Sequence, residues 1–206
     1  MHTEGKVITG TTARWYDALQ AIRGAHFIYR HILKLIQLEP AQSLFDVGCG
    51  PGTVLFKLYK IYGNEVQLFG IDPSPEMIGR AQARNKHIGQ RINFQVAVGE
   101  NLPFPDSNFD WAISSLTTHH LPHETKLIVF REMYRVLKPK GKLLISDFGP
   151  PHNFWGYLLI FFLKNHAFVK DNIDGAVPDL LQKVGFKNVK IQTVQLGATE
   201  HISAEK

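Results

Sequence analysis

Asp46-Val47-Gly48-Cys49-Gly50-Pro51-Gly52 is the stretch whose reading decides the fold. It overlaps the end of Ser43–Val47, a short run with strand character, and it leads into Val54 to Tyr62, which has helical spacing. Glycines between a strand and a helix let the backbone approach a ligand closely and adopt positive φ. The amides at the start of the following helix favour negative charge. An amino-acid carboxylate or a pyrophosphate would suit such a turn equally. The spacing separates the two. A dinucleotide fingerprint reads G-x-G-x-x-G, but after Gly48 and Gly50 the third position holds Thr53, and the glycine falls at 52. Asp46 also stands two places before the first glycine, where it would repel a pyrophosphate and hold an ammonium group.

Outward from this turn the chain alternates. Gln67–Ile71, Ile92–Val96, Trp111–Ser115 and Lys142–Ser146 read as further strands. Ser74 can cap a helix with Pro75 in its first turn, running to about Asn85. Another helix runs from about Glu124 to Leu137, with Leu127, Phe130, Met133 and Leu137 on one face, and it should stop at Lys138-Pro139-Lys140-Gly141. Residues 12–39 read as helical. Ala176, Val177, Leu180, Leu181 and Val184 have helical spacing, with Gly185 as terminator. Val189–Val194 and His201–Ala204 read as an antiparallel pair. The expected fold is α/β: a Rossmann-like, doubly wound, seven-stranded, mostly parallel sheet with an antiparallel C-terminal edge hairpin. It forms one domain over 1–206, with a helical cap (1–42), a core (43–148), a substrate-side insertion or lid (149–175) and a terminal helix with edge strands (176–206).

Composition narrows the setting. The 206 residues suffice for one full core, and 44% hydrophobic with 20% charged residues is ordinary for a globular protein. Cys49 is the single cysteine, so no intrachain disulfide can form. The first residues lack a basic-then-apolar signal pattern, and no apolar run approaches the roughly 20 residues of a membrane span, which points to a cytoplasmic protein. The net charge of +5 permits acidic partners. The basic residues form no dense block and no aromatic-basic motif, so neither DNA nor RNA is the expected partner.

A second carboxylate, Asp72, ends the second strand in Gly70-Ile71-Asp72, where it can accept both protons of a ribose diol. Together, Leu44 to Thr53, Gly70-Ile71-Asp72, Glu100-Asn101-Leu102-Pro103-Phe104 and Arg135-Val136-Leu137-Lys138-Pro139 resemble class I S-adenosylmethionine-dependent methyltransferases, most closely the small-molecule type of ubiquinone and menaquinone biosynthesis. The blocks span about residues 43–148 in the family's order. The resemblance implies S-adenosyl-L-methionine as cofactor, with Asp46, Gly48, Cys49 and Gly50 along its methionine end. It implies Asp72 and Pro73 at the ribose, Met77 beside adenine, and Val98, Gly99 and Glu100 along the adenine edge. It places Ser115 and Leu116 below the sulfonium, with Tyr16 closing over the cofactor. One departure is Val98, where the family often carries an aspartate that accepts the adenine amino protons; losing that contact costs on the order of 1 kcal/mol.

Methyl transfer is an in-line displacement, so the protein mainly positions a nucleophile and excludes water. A base is needed only when the nucleophile must lose a proton. His119 and His120, in Thr117-Thr118-His119-His120-Leu121-Pro122 after the fourth strand, are the candidate bases, and His120 could touch the cofactor instead. His123 completes an H-H-x-x-H string, but a proline intervenes and no carboxylate pattern completes a metal site. On the substrate side stand Asp147 and His152, with Trp155 and Tyr157 in the apolar run Phe154–Leu163 and His166 beyond it. That run could be a lid over an apolar small molecule, a peripheral membrane contact, a homodimer contact or a core helix. Competing readings are an RNA or protein methyltransferase, a catalytically silent binder of the cofactor, and a nucleotide-dependent oxidoreductase.

Overall fold

The computed structural model describes residues 25–163 and 168–206. The chain alternates in the order read from its sequence. α1 (Ala25–Leu35) leads into β1 (Ser43–Val47), α2 (Thr53–Tyr62), β2 (Gln67–Asp72), α3 (Pro75–Lys86), β3 (Asn93–Val96) and β4 (Phe109–Ser115). Then come α4 (His123–Val136), β5 (Leu137–Phe148), α5 (Phe154–Leu163), α6 (Lys170–Ile173), α7 (Val177–Val184), β6 (Lys187–Gln195) and β7 (Thr199–Glu205). The seven-stranded sheet has the order β3-β2-β1-β4-β5-β7-β6. β1 to β5 run parallel, while β7 pairs antiparallel with both β5 and β6. This is the doubly wound fold with its antiparallel terminal hairpin.

Alternating side chains place a core on each face of the sheet. Phe45, Val47, Ala112 and Ile145 face Leu127, Phe130 and Met133 of α4 and Leu180 and Leu181 of α7. Leu44, Leu68, Ile113 and Leu144 face Ile28 and Ile32 of α1, Leu55 and Leu58 of α2, and Ile78 of α3. β1 is the strand where the order reverses, because it pairs with β2 on one side and β4 on the other. In such sheets the crevice beyond the strands' carboxyl ends at that reversal is where ligands bind.

Local details follow the residues. Ser74 is fully buried and caps α3, its Oγ accepting from Met77 N at 3.3 Å, with Pro75 at the first helical position. Gly185 ends α7 in a left-handed conformation at φ 117°. One boundary departs from the sequence reading. α4 stops at Val136, and the chain enters β5 at Leu137 without a separate loop. Leu137 pairs with Phe109 and Lys142 with Trp111, so Lys138-Pro139-Lys140-Gly141 bulges out of the ladder. A bulge tolerates a proline that cannot donate to the sheet, and Lys140 takes φ 66° there. Among the described residues no helix is long and apolar enough to cross a membrane.

Candidate functional site

The glycine turn closes on the carboxyl end of β1. Gly48, Gly50 and Gly52 all have positive φ, at 73°, 53° and 78°. A side chain at Gly48 would occupy the space of Thr117, and one at Gly52 would lie 2.6 Å from the Phe94 ring. Gly48 and Cys49 donate their amides to Ile71 O at 2.9 Å, which draws the turn over β2. The result is a tight backbone cradle that only glycine can line at these positions.

Two carboxylates meet beneath it. Asp46 is fully buried, and neither of its oxygens has a hydrogen-bond partner among the described residues. Burial and the neighbouring Asp72 push its carboxyl up to about 8. A buried carboxyl without donors is costly unless a ligand supplies them. Asp72 accepts from Gly50 N and from Ser74 N, each at 2.9 Å. Burial raises its carboxyl, and those two amides offset part of the rise. Asp72 therefore organises the turn as well as facing the crevice. A carboxylate has about four acceptor positions, so two remain for a diol.

The other expected cofactor residues line the same edge. β3 ends beside Asp72, which pairs with Val96, so Val98, Gly99 and Glu100 follow directly beyond it. Val98 is buried and Glu100 half-buried. Gly99 packs closely on Val129 of α4 and on Val47. Met77 is buried at the start of α3, and Pro73 is half-buried. Cys49 turns its side chain into the core against Gly70, while its backbone lies in the turn. Its thiol is pushed well above the usual range by burial and by Asp46 and Asp72, which leaves it inert. Tyr16 and His166 lie outside the described residues.

Two of the sequence blocks serve the scaffold. Arg135 donates to Phe104 O at 2.8 Å and to Leu102 O at 3.2 Å, and it pairs with Glu132 and Asp106 at 2.7 Å. Glu132 in turn accepts from Leu102 N at 2.8 Å. This network clamps the segment after Glu100 onto α4, while Phe104 packs among Phe45, Phe69 and Phe109.

At the end of β4, Leu116 takes φ 51°, donates to Ser146 O, and turns the chain across β5. Ser115 is half-buried and Leu116 buried beside it. Thr117 reaches back, its Oγ1 donating to Gly48 O at 3.2 Å. Asp147 is buried, and its carboxylate is saturated. Oδ2 accepts from Thr117 N, Thr118 Oγ1 and His119 N, while Oδ1 accepts from Phe148 N and faces His119 Nδ1 at 2.6 Å. Burial pushes this carboxyl up, but the His119 imidazole and the hydrogen bonds outweigh it and hold Asp147 well below the usual carboxylate range. The acceptor positions of Asp147 are thus taken up within the protein. Asp147 orients His119, whose ring lies 3.9 Å from that of His120 and 4.8 Å from that of Phe148. His123 goes elsewhere, to Asp171 at 3.2 Å, and among the described residues no group of three His, Cys, Asp or Glu could hold a metal.

On the insertion side, His152 Nε2 meets Glu200 Oε1 at 3.1 Å, and Glu200 packs against Gly149. α5 rests on the β6–β7 turn, with Gly156 against the Gly197 backbone. Its Phe154, Trp155, Tyr157 and Phe161 are exposed, which removes the core-helix reading for that face. Sequence reading missed Thr117, Asn172 and Glu200. Asn172 reaches Thr118 Oγ1 at 3.1 Å from α6. Thr117 stands in the quoted string without a role of its own, and Asn172 and Glu200 lie in no motif; only the topology brings each to its partner.

Fold and site define a class I S-adenosyl-L-methionine-dependent methyltransferase domain. A model of the methyltransferase domain family matches residues 44–141. The chain is similar to the ubiquinone/menaquinone biosynthesis C-methyltransferase UbiE of Pectobacterium atrosepticum, with 34% identity over 68% of this chain and 57% of the relative. Phosphoethanolamine N-methyltransferase 2 of Caenorhabditis elegans is 28% identical over 86% of this chain and 42% of the relative. The chain thus spans less than two thirds of either relative. A methyltransferase from Aquifex aeolicus shares the fold with a TM-score of 0.66 and 24% identity, covering 86% of this chain and 88% of that one. The Haemonchus contortus enzyme solved with phosphomonomethylethanolamine and S-adenosylhomocysteine gives a TM-score of 0.70 at 18% identity, over 88% of this chain and 52% of that one.

Proposed function

We propose that this chain transfers a methyl group from S-adenosyl-L-methionine to a small acceptor. The observation that carries this is Asp46, a buried carboxylate without protein donors inside an all-positive-φ glycine turn, beside a second carboxylate that keeps free acceptor positions. The pair suits a ligand with an ammonium group at one end and a diol at the other, and it would repel a pyrophosphate. The cofactor supplies a methyl group already activated on a sulfonium. Asp46 and the amides of the glycine turn would hold its amino-acid end, Asp72 its ribose, and Val98 to Glu100 its adenine edge. Ser115 and Leu116 would lie along the reacting end. Calorimetry with S-adenosyl-L-methionine, S-adenosylhomocysteine and NADH tests the reading: the first two should bind, and NADH binding alone would refute it.

A small acceptor is favoured over RNA or protein by the names of the relatives, a C-methyltransferase of ubiquinone/menaquinone biosynthesis and a phosphoethanolamine N-methyltransferase. The apolar composition of α5 supports an apolar or mixed-polarity acceptor. The same helix supports a peripheral contact with an anionic membrane surface, because its aromatics face outward and no aspartate or glutamate occurs between Phe148 and Asp171. Co-sedimentation with neutral and anionic vesicles tests this. Vesicle binding unchanged in the Trp155→Glu, Phe161→Glu double variant would refute it, and a concentration-dependent dimer that the same variant abolishes would assign the face to a second copy.

A further inference from the structure

We infer that Asn172 and Thr199 anchor the methyl acceptor, and that the acceptor is a small molecule carrying an N–H or O–H group that donates to Asn172 Oδ1. The inference rests on the methyl-transfer reading above and adds the residues and the hydrogen-bonding chemistry that hold the acceptor. The anchoring group need not be the atom that is methylated.

Among the described residues four buried side-chain atoms lack a hydrogen-bond partner: both oxygens of Asp46, Oδ1 of Asn172 and Oγ1 of Thr199. Buried polar atoms are nearly always paired, so each exception needs a reason. All four lie at the ligand edge of the sheet. Asp46 stands at the glycine turn after β1, and Asn172 and Thr199 flank Phe148, the last residue of β5. Thr199 pairs with Phe148 across the β5–β7 ladder, so the two side chains share one face. Asn172 arrives from the other side. Its Nδ2 donates to Phe148 O at 3.3 Å, where β4 has turned away at Leu116. Asn172 is 1% exposed and Thr199 0%, while Phe148 between them is half-buried.

The neighbours of Asn172 fix which atom of its amide is left over. Thr118 Oγ1 has one hydrogen and gives it to Asp147 Oδ2 at 2.7 Å. Towards Asn172 that hydroxyl can therefore only accept, as Phe148 O always does. Both contacts require an N–H, so Nδ2 serves them at 3.1 and 3.3 Å, and Oδ1 is left without a donor. Bracing the turn explains Nδ2 alone. A buried acceptor with nothing to accept destabilises a purely structural residue. The Thr199 hydroxyl raises the same question, because valine would fill that strand position without burying an unpaired hydroxyl.

Asn172 is firmly placed although α6 has only four residues. Asp171 beside it accepts from the fully buried Lys126 Nζ at 3.1 Å, and Lys126 also donates to Leu121 O and Phe168 O. This buried cation thus fixes α6 against α4. Thr118 joins Asn172 to the turn whose Thr117 donates to Gly48 O of the cofactor cradle. Acceptor anchor and cofactor turn therefore belong to one hydrogen-bonded frame, as an in-line transfer requires. Asp147 and Lys126, the charged groups bonded into that frame, are already committed within the protein. Asn172 and Thr199 present dipoles, so the anchor reads a hydrogen-bonding group and needs no charge on it.

The test uses the full chain, methyl-labelled S-adenosyl-L-methionine and a dilution series of total small-molecule extract, which gives initial rate against acceptor supply. Calorimetry reads the affinity for S-adenosylhomocysteine. Thr199→Val keeps the shape of the residue and removes only the hydroxyl. It should raise the half-saturating extract concentration by about 3- to 10-fold, with the saturating rate and the S-adenosylhomocysteine Kd within about twofold of native. Its Tm without ligand should not fall. Asn172→Ala should raise the half-saturating concentration at least as much, and if it does not fold, Thr199→Val decides alone. An unchanged half-saturating concentration in either folded variant overturns the proposal, as does a loss confined to the saturating rate. So does a labelled product whose unmethylated parent has no hydrogen that exchanges in deuterium oxide. Failure of S-adenosylhomocysteine to bind the native chain would remove the cofactor reading and this one with it. Binding without any labelled product would overturn the acceptor anchor alone.

Discussion

Replacing Asp46 with asparagine should make the ligand-free protein more stable while destroying its cofactor site. The folded chain raises the Asp46 carboxyl from 3.8 to about 8, by burial first and Asp72 second. Between those values the folded state keeps a proton that the unfolded chain has released, so stability falls as pH rises through this window. Each pKa unit is worth about 1.4 kcal/mol. From about pH 5 to about pH 9 the native protein should therefore lose roughly 4 kcal/mol through Asp46. Asparagine carries no charge at either pH, so its advantage over the native residue should grow by about the same amount. Its amide remains without partners, at a cost of about 1–3 kcal/mol at both pH values, and that cost cancels from the difference. For a chain of this size the growing advantage corresponds to roughly 8–16 °C in relative Tm across the range. Thermal unfolding of both proteins without ligand, at the two pH values, measures it. Parallel pH profiles would refute the claim that Asp46 is a buried, uncompensated carboxyl. The instability has a functional meaning: an ammonium bound by Asp46 would recover it, so ligand should stabilise the native protein more steeply as pH rises, up to the point where the ligand's own amine deprotonates.

Gly48→Ala places a methyl group in the space of Thr117 at a positive φ; it should lower stability by about 2 kcal/mol or more and abolish S-adenosylhomocysteine binding, as thermal shift with and without ligand would show. Asp72→Ala removes a diol acceptor and the partner of Gly50 N, and it should weaken cofactor binding by roughly 1.5–3 kcal/mol; an unchanged Kd in calorimetry would take Asp72 out of the site. Lys126 is fully buried and donates to Leu121 O, Phe168 O and Asp171. Lys126→Met should therefore cost about 3 kcal/mol in urea denaturation, and a variant as stable as the native protein would show that this buried charge is dispensable.

The sheet and its ligand edge were legible because their signals are local. Each strand is a short apolar run, Ser74 and Pro75 announce α3, and Asp46 with the glycines declares the turn. The Val136–Leu137 boundary was not legible, because Pro139 suggests a loop and only the register against Phe109 and Trp111 shows a bulge. Cys49 looked like a ligand contact from its place in the motif; a turn with three positive-φ glycines rotates its side chain into the core. Asp147 looked like a substrate contact from its place at a strand end, yet the crossing of the chain at Leu116 brings five donors onto it. Such long-range saturation leaves no trace in spacing. His152 stands out in the sequence beside the apolar run, but its partner Glu200 lies on a strand that only the antiparallel hairpin brings alongside.

The measurement that tests the account most directly is calorimetric titration of the native chain and Asp46→Asn with S-adenosylhomocysteine, alongside NADH. The account predicts that the native chain binds S-adenosylhomocysteine, that Asp46→Asn loses most of that affinity while remaining folded, and that NADH binds neither. Equal S-adenosylhomocysteine affinity in the two proteins, or NADH binding in place of it, would contradict the assignment of Asp46 and its glycine turn as the cofactor's amino-acid site.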